Sequence, residues 1–254
     1  MSSLQVRVEW DFRAADAADA LEDVTGHGLR LRPGSGTLPG RHAGSGLRFD
    51  GRGDVLAIPA AAVGPLDLAR RGDTVTVAAL VRRRSRATGF VAGMWQEDDC
   101  DPRRQYGLFL SLPAYGGNQQ VCGHVSADGR PSPGLPYSRD YAATAREVPV
   151  GAWSVVAFSY DGTDVTAYLD GVADRRPGYR EPEPPLGAGL TYAKNPYRYP
   201  LGLNRGATSD FTVGAVRLTR GMGNHLAGDV ARLLVCSASL EEAAHRALAR
   251  EWSA

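Results

Sequence analysis

Residues 151–172 read GAWSVVAFSYDGTDVTAYLDGV, and the period of their side chains decides the fold. Val156, Phe158 and Tyr160 alternate with Val155 and Ala157; beyond a break, Val165, Ala167 and Leu169 alternate with Thr166 and Tyr168. A period of two belongs to a strand and not to a helix. Between the runs lies Asp161-Gly162-Thr163-Asp164, where an aspartate can bond the backbone two residues on and glycine supplies positive φ. Asp170-Gly171 closes the second run with a favoured pair for a two-residue type I′ turn. The stretch predicts two antiparallel strands and the start of a third.

With Asp174, the segment carries four carboxylates: Asp161, Asp164, Asp170 and Asp174. Successive hairpin ends alternate between opposite edges of a sheet. Asp161 and Asp164 are therefore expected one strand length, roughly 15–20 Å, from Asp170. A catalytic carboxylate pair needs roughly 5–9 Å. The spacing predicts turns.

The same β-type pattern extends outward. Residues 4–12 alternate, with Leu4, Val6, Val8 and Trp10 on one face. Short strands are predicted over 46–50, 54–58, 74–82, 89–95, 106–112, 120–126, 211–219 and 230–236, divided by turns rich in Gly, Pro and Asp. Many short strands at close spacing are the signature of a sandwich or barrel. Helical signal is confined to SASLEEAAHRALAREW, with Ser237 or Ser239 as N-cap and an apolar stripe through Leu240, Ala243, Ala244 and Leu248. That helix is expected over one sheet edge. No internal repeat or low-complexity linker interrupts the chain, so residues 1–254 are read as a single domain.

Bulk properties exclude several classes. A chain of 254 residues is long enough to bury roughly 70–75% of its extended surface without a metal or disulfide. The 29 basic and 28 acidic residues give a net charge of +1, too little field to draw in a nucleic acid backbone. No apolar run reaches the length of a membrane span. MSSLQVRVEWDF lacks a cationic start followed by an apolar core, so cytoplasmic residence is the simplest expectation unless a signal was removed upstream. Cys100, Cys122 and Cys236 have no metal-ligand spacing; a Cys100–Cys122 bridge is left open and not implied.

GAWSVVAFSYDGTDVTAYLDGV closely resembles the laminin-G-like, concanavalin A-like lectin and glucanase pattern, in which a tryptophan opens a strand and Tyr-Asp-Gly leads to Tyr-Leu-Asp-Gly. GSGLRFDGRGDVLAIP, TVTVAALVRRRS and the closing segment from FTVGAVRLTRG to EEAAHRAL fall in the same family's order. The resemblance implies a jelly roll of two antiparallel sheets, one concave and open to ligand, with sugar binding in many members and calcium often at a sandwich edge. The superfamily's glucanases carry Glu-x-Asp-x-x-Glu on a concave strand. Nothing here matches it, since Glu97-Asp98-Asp99-Cys100-Asp101 runs into Pro102 and reads as a loop.

Asp98, Asp99 and Asp101 could offer oxygens to a hard cation such as Ca2+, or be neutralised by Arg103 and Arg104. His124 shares a strand face with Gln120, Cys122 and Ser126, a small, semi-polar surface that suits an open sheet, where a histidine can act as acid or base. In GLTYAKNPYRYPLGLNRG, Tyr192 and Tyr197 stand beside Lys194, Asn195 and Arg198: rings to match the C–H faces of a sugar, polar groups to bond its hydroxyls. Trp95, Tyr137 and Tyr141 are expected to join that wall. Two readings follow. One is a lectin-like domain binding a glycan or small polar ligand; the other is a free-standing hydrolase or lyase in which His124 does acid–base chemistry.

Overall fold

The computed structural model describes residues 5–14, 16, 18–34, 37–42, 45–135, 137–182 and 189–253. Two large antiparallel sheets carry the chain. In the first, of nine strands among the described residues, the order runs Val172–Ala173, Asp164–Leu169, Ser154–Tyr160, Val75–Arg83, Ala227–Cys236, Gly46–Asp50, Gly40–His42. Arg7–Asp11 also pairs with Ala227–Cys236, tying the start of the described chain to its last strand, and Tyr197–Arg198 pairs with Asp164–Leu169. The second sheet has seven strands, in the order Tyr141–Ala143, Gly117–Val125, Tyr106–Leu112, Gly89–Met94, Phe211–Val213, Leu56–Ile58, Arg32–Pro33. Among the described residues a single α-helix, Glu242–Ser253, follows. This is the all-β fold with a short C-terminal helix that the sequence pattern predicts, and the jelly-roll-like pair of antiparallel sheets that the resemblance implies.

The decisive hairpin forms in the expected register, with Val156 opposite Leu169, Phe158 opposite Ala167 and Tyr160 opposite Val165. Those six side chains enter the core between the sheets. Val6, Val8 and Trp10 join them, and Trp10 stacks on Phe211 at 5.6 Å. Leu4 lies outside the described residues. The aspartates are turns. Asp161 Oδ1 accepts the amides of Thr163 and Asp164, both at 2.8 Å, and Asp170 and Gly171 both take positive φ. Asp50 closes its own turn likewise, its carboxyl held low by the backbone N–H groups of Gly53 and Arg52.

Both outer faces are also covered. On the nine-stranded sheet, Ala78, Leu80, Val155, Ala157, Tyr168 and Leu234 pack under Leu248, Ala249 and Trp252 of the helix. The helix therefore lies on the face of the sheet and not along its edge. Its buried stripe is His245, Leu248, Ala249 and Trp252, whereas Ala243 and Ala244 are exposed. Spacings of three, four and seven put that set on one side. Ser237 accepts the amide of Val6 instead of capping the helix. Thr76 receives the chain there, its hydroxyl accepting the amide of Leu240.

His245 is buried. Its Nε2 lies 2.8 Å from Ser159 Oγ and its ring stacks on Tyr168 at 3.8 Å. Gly171 lets this docking happen: a Cβ there would stand 2.6 Å from the Arg246 Cα, and its φ is +77°.

Gly171→Ala is expected to cost about 2–3 kcal/mol, from left-handed backbone strain plus the collision with the helix. Urea denaturation checks this; a loss within experimental error contradicts the close approach. Burial lowers the His245 pKa from 6.5 to about 4. The unfolded chain therefore binds this proton first. The stability contributed is complete above pH ~6.5 and lost as the pH falls to ~4, up to roughly 3 kcal/mol. His245→Gln should flatten the pH dependence of stability across that window, and an unchanged slope would contradict it.

Candidate functional site

The outer face of the seven-stranded sheet builds the site. Alternation along Tyr106–Leu112 sends Leu108 and Leu110 into the core and Phe109 outward. Gly117–Val125 does the same with Val121 and Val125 inward and Cys122 outward beside His124. Gly123 faces inward, where a Cβ would stand 2.3 Å from Phe158. Phe90, Tyr141 and Trp95 complete an aromatic layer. Phe90 meets Phe109 edge-on at 4.8 Å, Trp95 meets His124 at 4.4 Å, and His124 stacks on Tyr141 at 5.4 Å.

Loops rise around this layer and leave a hollow of about 790 Å³. One wall is a small sheet in which Val216–Leu218 pairs with Gln96–Glu97 and with Gly221–Gly223, carrying Thr219 and Arg220. Pro131, Tyr137 and Ser138 also line the hollow. That loop is pinned by Asp140, which accepts the Ser132 hydroxyl and, at 2.7 Å, the Tyr197 hydroxyl. Glu97, Asp99, Arg104 and Asn224 supply polar groups to the lining. Glu97 accepts Trp95 Nε1–H at 2.8 Å, and Asp99 accepts the Thr219 hydroxyl at 2.9 Å. Arg104, buried, gives Nη1 to the Gly129 carbonyl at 3.0 Å and lies 5.9 Å over the Trp95 ring. Burial lowers its pKa.

Of the residues singled out from sequence, Trp95, His124, Tyr137, Tyr141 and Asp99 come together in this hollow. The face is not the open, semi-polar surface that was expected. His124 is buried, with its Nδ1 unpartnered among the described residues. Burial first, then the charges of Arg104 and Lys194, push it down to about 3. It is a neutral ring at physiological pH and lacks the titration that acid–base work near neutrality calls for.

The Tyr192–Arg198 group goes elsewhere. Asn195 behaves as one more strand residue: its Oδ1 accepts the Ala167 amide and its Nδ2 donates to the Ala167 carbonyl, both at 2.9 Å. Tyr197 and Tyr199 enter the core, where Tyr199 OH accepts the Ala127 amide at 2.8 Å. Tyr192 donates to Glu181. Lys194, the sole lysine, is fully buried, its Nζ 3.2 Å from the Tyr141 ring centroid and 3.3 Å from the Arg139 carbonyl. Desolvation drives its pKa well down. Arg198 is exposed and pairs with Asp164 at 4.0 Å. Gln120 is half-buried and does not line the hollow. These side chains close the edge between the sheets.

The carboxylates of the acidic loop turn to separate partners. Asp98 accepts the Cys100 amide at 3.0 Å, and Asp101 pairs with Arg103 at 2.7 Å, whose hydrogen bond holds it below the usual range. Among the described residues no group of three or more His, Cys, Asp or Glu is placed to hold a metal ion. Cys100 is exposed and Cys122 buried, and both are free thiols. His225 is half-buried outside the hollow. Sequence reasoning missed Thr219, Arg220 and Asn224. The only sign of them was the glycine-punctuated RLTRGMGN, which reads equally well as a plain turn.

Solved structures show the same architecture. Domain 4 of the arabinanase AbnA from Geobacillus stearothermophilus, in complex with arabinotriose, is 16% identical at a TM-score of 0.56, covering 95% of this chain and 97% of that one. The binding domain of botulinum neurotoxin DC in complex with SialylT is 7% identical at 0.57, covering 97% and 51%. A Trypanosoma rangeli sialidase mutant displaying trans-sialidase activity is 17% identical at 0.56, covering 97% and 33%. The chain thus spans about half of the neurotoxin chain and a third of the sialidase. No curated protein matches it in sequence. No helix among the described residues is long and apolar enough to cross a membrane. A laminin-G-like family model matches residues 50–220, more than half of the chain, and on that match the chain belongs to the concanavalin A-like lectin/glucanases superfamily.

Proposed function

We propose that this chain is a carbohydrate-binding domain and that the glycan enters the hollow over the seven-stranded sheet. The observation that carries the reading is Tyr137, 63% exposed at a hollow whose lining sets polar groups around an apolar floor. A sugar ring has two apolar C–H faces and a perimeter of hydroxyls. A tyrosine ring at the mouth matches a face. Glu97 and Asp99 accept from the perimeter, and Arg104, Arg220 and Asn224 donate to it. A volume of about 790 Å³ suits a ligand of one to a few sugar units. The ligands of two similar structures, arabinotriose and SialylT, agree with this use of the fold.

Hydrolysis or lysis of a glycan is the weaker reading. It needs a proton donor and acceptor facing the ligand, and His124, pushed down to about 3 by burial, does not supply one near neutrality.

Titration calorimetry with arabino-, sialylated and neutral hexo-oligosaccharides tests the proposal. At least one class should bind saturably. Tyr137→Ala should weaken it about tenfold, on the order of 1.4 kcal/mol, while Arg198→Ala, outside the hollow, leaves it unchanged. Absence of binding across the panel, or binding indifferent to Tyr137, would overturn it.

A further inference from the structure

A second cluster lies on the other side of the molecule, on the outer face of the nine-stranded sheet beyond the helix. Asp229 is paired across the sheet with Arg48 on one neighbouring strand and Arg82 on the other. Its carboxylate is 2% exposed and takes three guanidinium groups through their Nε atoms: Arg48 at 3.0 Å, Arg82 at 3.0 Å and Arg84 at 2.7 Å. One buried anion therefore gathers three cations, leaving the cluster two positive charges in excess. Asp50, two residues from Arg48, spends a carboxylate oxygen on three amides of its own turn.

The mode of attachment matters. A guanidinium has five N–H donors in a planar fork, and here only the Nε of each is committed. The Nη groups of Arg48, Arg82 and Arg84 make no hydrogen bond or ion pair among the described residues. The side chains are 36%, 25% and 41% exposed, so these donors are open to solvent. The forks are also held in place, Arg82 from below by Trp153, whose ring centroid is 4.9 Å from its Cζ. Three fixed forks with unused end donors and surplus charge form a receptor for an oxyanion.

We propose that Arg48, Arg82 and Arg84, organised by Asp229, form a binding site for a tetrahedral oxyanion, a phosphate or sulfate group. Arg48 and Arg82 stand on the strands either side of Asp229, and Arg84 lies just past the end of Val75–Arg83, so three forks around one carboxylate offer spare donors that the oxygens of a tetrahedral anion match better than the two of a carboxylate. The site lies on the sheet opposite the one beneath the hollow and is independent of the glycan proposal.

Inorganic phosphate and inorganic sulfate are the probes, titrated into the full chain at fixed ionic strength, with acetate and chloride as comparisons. Phosphate and sulfate should bind saturably and move the arginine Nε–H resonances of Arg48, Arg82 and Arg84 together in NMR spectra of the unaltered protein. Arg84→Gln and Arg48→Gln should each weaken binding about tenfold, whereas Tyr137→Ala leaves it unchanged. Acetate equal to phosphate, or resonances that do not move, would overturn the assignment. So would undiminished affinity in both glutamine variants.

Discussion

Much of this molecule follows from sheets that carry apolar side chains on both faces. A sandwich needs only its facing surfaces apolar, since the outer ones can meet water. Here Val155, Ala157, Leu80 and Leu234 make one outer face apolar, and Phe90, Phe109, Trp95 and Tyr141 the other. Neither can be left to solvent. The helix resolves the first with Leu248, Ala249 and Trp252, which cover its apolar part. Loops resolve the second, and they do so incompletely. What they leave uncovered is the hollow.

The unequal covers divide the roles of the two sheets. Under the helix, buried polar groups are spent on docking: Ser159, Thr76 and His245 bond one another and the chain entering the helix. Over the seven-stranded sheet, Glu97, Asp99, Arg104 and Asn224 remain around a volume, with Tyr137 standing free. The same economy shapes the tyrosine-rich segment after residue 189. Its hydroxyls are bonded to Glu181, Asp140 and the Ala127 amide, and its Asn195 pairs with a strand edge that would otherwise lack partners. An edge closed in this way cannot recruit another strand.

How far the sequence could be read depends on which physical signal each part carries. The hairpin of Ser154–Tyr160 and Asp164–Leu169 was legible because its alternation and its Asp-Gly turns point the same way. Burial of the outer faces was not, because Val155 and Ala157 alternate identically whether or not anything covers them. The helix stripe was right at Leu240 and Leu248 and wrong at Ala243 and Ala244, because alanines weigh as apolar on either side. Trp95, His124, Tyr137 and Tyr141 did assemble, as sheet neighbours and adjoining loops. Tyr192, Lys194 and Tyr197 did not, because rings and amides that could meet a sugar are equally fit to seal a seam. Composition cannot separate those uses; hydrogen-bond partners can.

The central claim is that the imperfect cover over the seven-stranded sheet is the ligand site. A crystal structure of the chain with its tightest-binding oligosaccharide tests it most directly. The fold predicts a sugar ring against Tyr137, its hydroxyls meeting groups of the 97–104 and 219–224 segments. A sugar bound anywhere else, with the hollow left empty, would contradict it.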